Sequence, residues 1–382
     1  MTRRVVIITE IISPYRVPLF NALAGQPGID LHVIFLSEND PSLRQWEIYR
    51  KEIRFSYEVL RSWRKRVGRY NLLINSGTTR ALEKVNPEAV LCGGYNYFAS
   101  WQALLWARTH HVPFVLWSES NVQDHRRGYL LTEFLKREFL DRCSGFVVPG
   151  RSAREYLQAH AIPEEKIFTA PNAVDNRLFA EIAGRTRSAA ADCRRRLALP
   201  NRYFLFVGRL VAEKGVFDLL QAYAILDEEL RMEVGLVFAG DGPCRLALEE
   251  RAQTVRNGMI KFAGFVQRNE LAEYYALSDM LILPTSSDTW GLVVNEAMAC
   301  GLPVLLSRVA GCAADLVSDD WNGRLVSPGD IKSLARSMED LGSDPVRCRE
   351  MGVRSQQHIA QYSPEAWASG AARAFLQQVG GL

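Results

Sequence analysis

The residues best suited to chemistry lie in the second half of the chain. The run Phe204-Leu205-Phe206-Val207 has strand composition and ends in Gly208-Arg209, which is followed after four residues by Lys214-Gly215. A glycine at a strand end lets backbone come close to a phosphate, and Arg209 and Lys214 would then be two cations for a pyrophosphate. The same two charges also fit an ordinary solvated loop, because Arg-x4-Lys is a loose pattern. A second segment runs from Pro284 through Asp288 and Trp290 to Gly291-Leu292-Val293-Val294-Asn295-Glu296, then on to Gly301 and Pro303. Here a strand ends at Pro284, Gly291 opens a helix, Gly301 closes it, and Pro303 begins the next strand. Glu296 thus falls within a helix among Val293, Val294, Ala297 and Met298, where a carboxylate without a partner is costly. A ribose diol is one such partner, since a carboxylate accepts from both vicinal hydroxyls; a neighbouring arginine is another. The amides of Gly291, Leu292 and Val293 at the helix start point at an anion or a sugar hydroxyl. Asp288, in the loop above, reaches a bound sugar or caps the helix.

These groups need strands and helices to hold them. In the first half, the β-rich runs Val5 to Ile8, Leu31 to Phe35, Ala89 to Cys92, Phe114 to Trp117 and Gly145 to Val148 alternate with longer amphipathic stretches. Such alternation predicts a parallel sheet flanked by helices. From Asn176 to Arg196 the chain is polar and arginine-rich, which reads as an interdomain connection carrying one helix. A second α/β series follows, with strands expected at Tyr203 to Val207, Val234 to Ala239, Ile260 to Phe262, Met280 to Pro284 and Pro303 to Ser307. From Pro364 to Gln378, the spacing of Trp367, Ala371, Ala374 and Phe375 predicts a helix with one face to dock. A chain of 382 residues suits two domains.

Composition narrows the field. With 46 basic and 43 acidic residues distributed along the whole chain, a net charge of +3 argues against nucleic-acid binding. The seven cysteines are scattered, with no CxxC pair, as expected of reduced thiols in the cytoplasm. Glu10 breaks the N-terminal apolar run before a signal-peptide core forms, and no stretch approaches the roughly 20 apolar residues of a membrane span.

Four motifs together, Gly208-Arg209-x4-Lys214-Gly215, Ala239-Gly240-Asp241-Gly242-Pro243, Phe262-Ala263-Gly264-Phe265-Val266 and Asp288-x7-Glu296, the last running on to Pro303, resemble the retaining GT-B glycosyltransferases of family 4. The likeness covers the C-terminal half. The first half is similar more loosely, through Pro171-Asn172-Ala173-Val174-Asp175. The resemblance implies an α/β, GT-B architecture: two doubly wound Rossmann-like domains facing across a cleft. Residues 1–172 plus a returning helix at 362–382 would bind acceptor, and 173–361 would bind a nucleotide-sugar donor. It implies Gly208, Arg209 and Lys214 on the diphosphate, Glu296 on the ribose, and Phe265 and Val266 at the base. Asp288, Gly291, Leu292 and Val293 would hold the sugar. Asp288 stands where the family usually has Glu, one methylene longer.

The implied reaction transfers a hexose with retention of anomeric configuration to a glycan or lipid-linked acceptor, as in polysaccharide or lipopolysaccharide synthesis. Arg209 and Lys214 would stabilise the leaving diphosphate without a metal or other cofactor. Glu119 falls near the place where many family members have a His, and is the candidate for the sugar or acceptor hydroxyl. The loops Ser13-Pro14-Tyr15-Arg16 and Gly93-Gly94-Tyr95-Asn96 follow strands that face the same cleft, which makes Tyr15, Arg16, Tyr95 and Asn96 acceptor candidates. His110, His111 and His125 have no partners at metal-ligand spacing. The stretch 60–74 mixes five cations with Trp63, Tyr70 and aliphatic residues. It suits either an anionic bilayer surface at the inner face of the cytoplasmic membrane or a solvated helix face. The competing reading is a non-catalytic protein that binds a nucleotide sugar; phosphorolysis and epimerisation are weaker ones.

Overall fold

The computed structural model describes residues 2–40, 45–67, 70–121 and 130–380. It divides into two units, Met1–Val174 with Pro364–Leu382, and Asp175–Ser363. The division falls two residues beyond the expected junction at each crossing.

The first unit holds β1 (Arg3–Thr9), β2 (Ile29–Phe35), β3 (Ser56–Val59), β4 (Arg61–Val67), β5 (Tyr70–Ser76), β6 (Ala89–Cys92), β7 (Phe114–Trp117), β8 (Gly145–Val148) and β9 (Ile167–Thr169). Seven of these form a parallel sheet in the order β3-β2-β1-β6-β7-β8-β9. Val5 to Ile8 are fully buried because helices cover both faces, so the strand reads as a continuous apolar run rather than an alternating one. The order reverses between β1 and β6, and at such a reversal the loops at the strand carboxyl ends part to leave a crevice. The helix Pro364–Gly380 belongs to this unit. Its Trp367 is fully buried, with ring centroids 5.8 Å from Phe20 and 5.0 Å from Trp117.

The second unit holds β10 (Arg202–Val207), β11 (Val234–Ala239), β12 (Ile260–Gly264), β13 (Met280–Leu283), β14 (Val304–Ser307) and β15 (Gly323–Val326). Their order, β12-β11-β10-β13-β14-β15, is that of a doubly wound dinucleotide-type sheet with its switch between β10 and β13. Both candidate loops, after Val207 and after Leu283, therefore leave the sheet on either side of one crevice.

Two expectations are corrected. The interval 176–196 carries two helices, Asn176–Ser188 and Ala190–Leu197, not one. Ala189 breaks them at φ −118°, and the arginines are not simply solvated. Arg187 reaches the carbonyls of Ala276 and Cys300, and Arg194 that of Leu277, satisfying helix C-termini. Nor is 60–74 a helix face. β4 and β5 pair as an antiparallel hairpin with Trp63 opposite Ile74 and Lys65 opposite Leu72. The side-chain period is two: Leu73 and Asn75 turn inward, while Arg61, Trp63, Lys65, Leu72 and Ile74 are exposed, Trp63 by 54%. Gly68 and Arg69 lie outside the described residues. Among the described residues no helix is long and apolar enough to cross a membrane.

Candidate active site

The loops after β10 and β13 are stitched to each other. The Glu213 carbonyl accepts from the Ser286 amide at 2.9 Å and from the Thr285 hydroxyl at 2.8 Å. Gly215 sits at φ +69°, and a Cβ on it would lie 2.1 Å from the Pro284 carbonyl oxygen. Only glycine permits both that backbone angle and that approach. Gly240 does the same beside β10: at φ +151°, its Cβ would fall 1.8 Å from the Gly208 carbonyl oxygen. The glycines of the two motifs thus serve backbone-to-backbone packing that brings separate loops to one place. Arg209 is exposed there. Lys214 Nζ donates to Asp288 Oδ2 at 2.5 Å, while Asp288 Oδ1 accepts from the Trp290 amide at 3.3 Å. Both residues are partly buried, so this pair is less screened than a surface one.

Gly291 adopts φ +97° and starts the helix Leu292–Ala299, whose first turn presents the amides of Leu292 and Val293. Its entry is fixed by Trp290, which is buried and donates through Nε1 to Asn295 Oδ1 at 2.9 Å. Glu296 follows, as the sequence placed it. Burial pushes its carboxyl up from the usual 4.5 to about 7, while a hydrogen bond from Tyr275 and the charge of Arg268 pull it down. That bond, Tyr275 Oη to Glu296 Oε2 at 2.8 Å, joins two helices. Phe265 is exposed and Val266 partly so, in the loop between β12 and the helix Arg268–Leu277 that carries Tyr275.

In the first unit, Glu119 leaves the end of β7 and is held on both oxygens. Oε1 accepts from Asn172 Nδ2 at 2.9 Å, and Oε2 lies 3.5 Å from an Arg16 guanidinium nitrogen. Arg16 also donates to the Thr9 hydroxyl and lies 4.6 Å over the Trp117 ring. The structure therefore brings Arg16 and Glu119 together at the carboxyl ends of β1 and β7. Tyr95 hydrogen-bonds Ser120, the residue next to Glu119. The Tyr95 ring tilts against Phe139 at 5.8 Å, and burial with hydrogen bonds to Tyr156 and Ser120 makes it part of the packing. Tyr15 rests edge-on against Trp46 at 5.5 Å, and Asn96 is exposed. Sequence reasoning passed over Glu10, which receives Arg64 from the hairpin and a Tyr97 hydroxyl; its interruption of the apolar run was the one visible signal. His110 and His111 are exposed, His110 stacking on Trp106 at 4.4 Å, and His125 lies outside the described residues. Among the described residues no three His, Cys, Asp or Glu side chains group as metal ligands. All seven cysteines are unpaired.

Two Rossmann-like halves with parallel sheets define the class: this is a GT-B protein. Residues 194–358 match the family described as glycosyl transferases group 1, and residues 19–178 match glycosyltransferase family 4. Together these matches take in most of the chain, and the chain belongs to the family 4, group 1 glycosyltransferases. It is 28% identical over 272 residues to sulfoquinovosyl transferase SQD2 of Arabidopsis thaliana, covering 68% of this chain and 51% of that one. It is 29% identical over 232 residues to a D-inositol 3-phosphate glycosyltransferase of Thermobispora bispora, covering 58% and 52%. The chain thus spans about half the length of these curated relatives. Among solved structures, Anabaena Alr3699/HepE in complex with UDP superposes with TM-score 0.75 at 16% identity, over 98% of this chain and 100% of that one. WaaG, a glycosyltransferase involved in lipopolysaccharide biosynthesis, does so with TM-score 0.67 at 17% identity, over 97% and 99%.

Proposed function

We propose that the protein is a retaining, metal-independent glycosyltransferase that moves a hexose from a nucleotide diphosphate sugar to a glycan or lipid-linked acceptor in cell-surface polysaccharide synthesis. The observation that carries this reading is the pair of loops stitched at the β10/β13 switch, with Arg209, Lys214 and Asp288 beside the helix that bears Glu296. A diphosphate placed there meets two cations and a helix start, and its ribose meets a carboxylate. As the glycosidic C–O bond breaks, negative charge gathers on the leaving phosphate, and Arg209 and Lys214 offset it. Asp288 and the amides of Gly291, Leu292 and Val293 hold the sugar, and the loop at Phe265 and Val266 takes the base. Glu119, oriented by Arg16 and Asn172, contacts the sugar or the acceptor hydroxyl, with Tyr15, Tyr95 and Asn96 near the acceptor.

A structural neighbour solved with UDP supports the donor class, and the names of the relatives, a D-inositol 3-phosphate glycosyltransferase and a sulfoquinovosyl transferase, support sugar transfer. The exposed Trp63, Leu72 and Ile74, interleaved with Arg61 and Lys65 on one face of the hairpin, favour docking from the cytoplasm onto an anionic membrane that holds a lipid-linked acceptor. The test is transfer of radiolabel from a panel of nucleotide sugars to a membrane extract, in buffer with chelator, followed by NMR of the product's anomeric centre. Labelled product with the donor's configuration is expected. Donor binding without transfer under any condition would return the protein to the non-catalytic reading.

A further inference from the structure

We propose that Tyr275 is a positioning residue for nucleotide binding: its buried hydroxyl fixes Glu296 as an acceptor with both oxygens turned to receive the two ribose hydroxyls. The inference rests on the reading that Glu296 meets the ribose. Its geometric basis is a joint between two helices. Tyr275 is fully buried and its hydroxyl donates to Glu296 Oε2 at 2.8 Å. Arg187 ties the carbonyl of the next residue, Ala276, at 3.1 Å and also that of Cys300, one turn beyond Glu296, so a single guanidinium locks both helix ends. Neither the phenol nor the carboxyl can turn away without breaking this joint.

The consequence is a pH dependence. A protonated Glu296 would offer one donor and one good acceptor, and could not receive both ribose hydroxyls. Burial favours that neutral form, pushing the group up to about 7; Tyr275 opposes it, and so does Arg268, at the start of the same helix. The Tyr275 phenol is itself held far above its ordinary range by burial and by the Glu296 charge, so it remains an O–H donor at any working pH. The Cys300 thiol, also raised by burial, stays neutral beside them. Lys214 and Asp288 pair with each other on the neighbouring loops. Removing the phenol hydroxyl therefore raises the Glu296 carboxyl further, and nucleotide affinity is lost at a higher pH than in the native chain.

Calorimetry of UDP, GDP and ADP binding to the full chain between pH 5.5 and 9 tests this, using whichever nucleotide binds. In the native protein, affinity should fall roughly tenfold per pH unit below its midpoint. In Tyr275→Phe the midpoint should rise by about one pH unit, with near-native affinity restored at pH 9. Glu296→Gln and the 2′-deoxy form of the same nucleotide should both give weak binding that hardly varies with pH. If Glu296→Gln binds as the native chain does, the ribose reading fails. If Glu296→Gln is weak and flat but Tyr275→Phe keeps the native midpoint, or loses affinity equally at every pH, the role assigned to Tyr275 is overturned. Should Tyr275→Phe not fold, 3-fluorotyrosine at position 275, a stronger hydrogen-bond donor, should move the midpoint down; an unmoved midpoint overturns the proposal.

Discussion

Lys214 and Asp288 pair with each other, so an arriving diphosphate competes with Asp288 for the ammonium. Asp288→Asn weakens that competition. Calorimetry should show a nucleoside diphosphate binding to this variant a few-fold more tightly, on the order of 0.5–1 kcal/mol. Transfer from the nucleotide sugar should drop by tenfold or more, because the sugar loses its carboxylate. Glu296 exposes a related conflict between binding and stability. Its folded-state carboxyl titrates at about 7 rather than 4.5. Between those values the folded chain keeps a proton that the unfolded chain has released, so stability falls as pH rises through the window, and the whole penalty applies above it. Glu296→Gln should therefore melt at a higher temperature than the native chain at pH 8, by about 2–4 °C, with the gap closing near pH 5. It should bind nucleotide more weakly at the same time. Scanning calorimetry at the two pH values checks the first part.

Elements buried on both faces were legible from composition, because Val5 to Ile8 or Met280 to Leu283 need no alternation to declare themselves strands. The strands that escaped notice, β3, β9 and β15, are short and lie at or next to sheet edges, and β3 is mostly exposed. The hairpin was hidden because its outward face alternates charge with apolar side chains, which resembles an amphipathic surface of either kind. Glu296 could be found because its neighbours along the chain are apolar. Tyr275 could not, since it is 21 residues away on another helix and sequence carries no register between helices. Gly208 was read as approach to phosphate; Gly215 and Gly240 carried no such reading, and the fold gives them close approaches to Pro284 and Gly208. Gly215→Ala must displace a backbone carbonyl, and urea denaturation should show a loss of about 2–4 kcal/mol. Trp367→Ala empties a site between Phe20 and Trp117 and should cost the first unit about 3–5 kcal/mol.

At the scale of the whole molecule, two sheets of the same winding have different tasks. The second unit concentrates cations, glycines and the half-buried carboxylate of Glu296 at its switch. The first places Arg16 and Glu119 at its own strand ends, and shows the apolar, basic face of the hairpin to solvent. With Arg209 and Lys214 as the diphosphate's cations, transfer should persist at full rate in excess chelator, and a rate that collapses and returns with a divalent cation would refute that assignment. The donor site itself is tested most directly by saturation-transfer NMR with UDP-glucose, UDP-galactose, UDP-N-acetylglucosamine, GDP-mannose and ADP-glucose, comparing the native chain with Arg209→Ala and Glu296→Ala. At least one donor should bind the native chain and be lost from both variants. Binding that survives both substitutions, or no binding to the native chain, would contradict it.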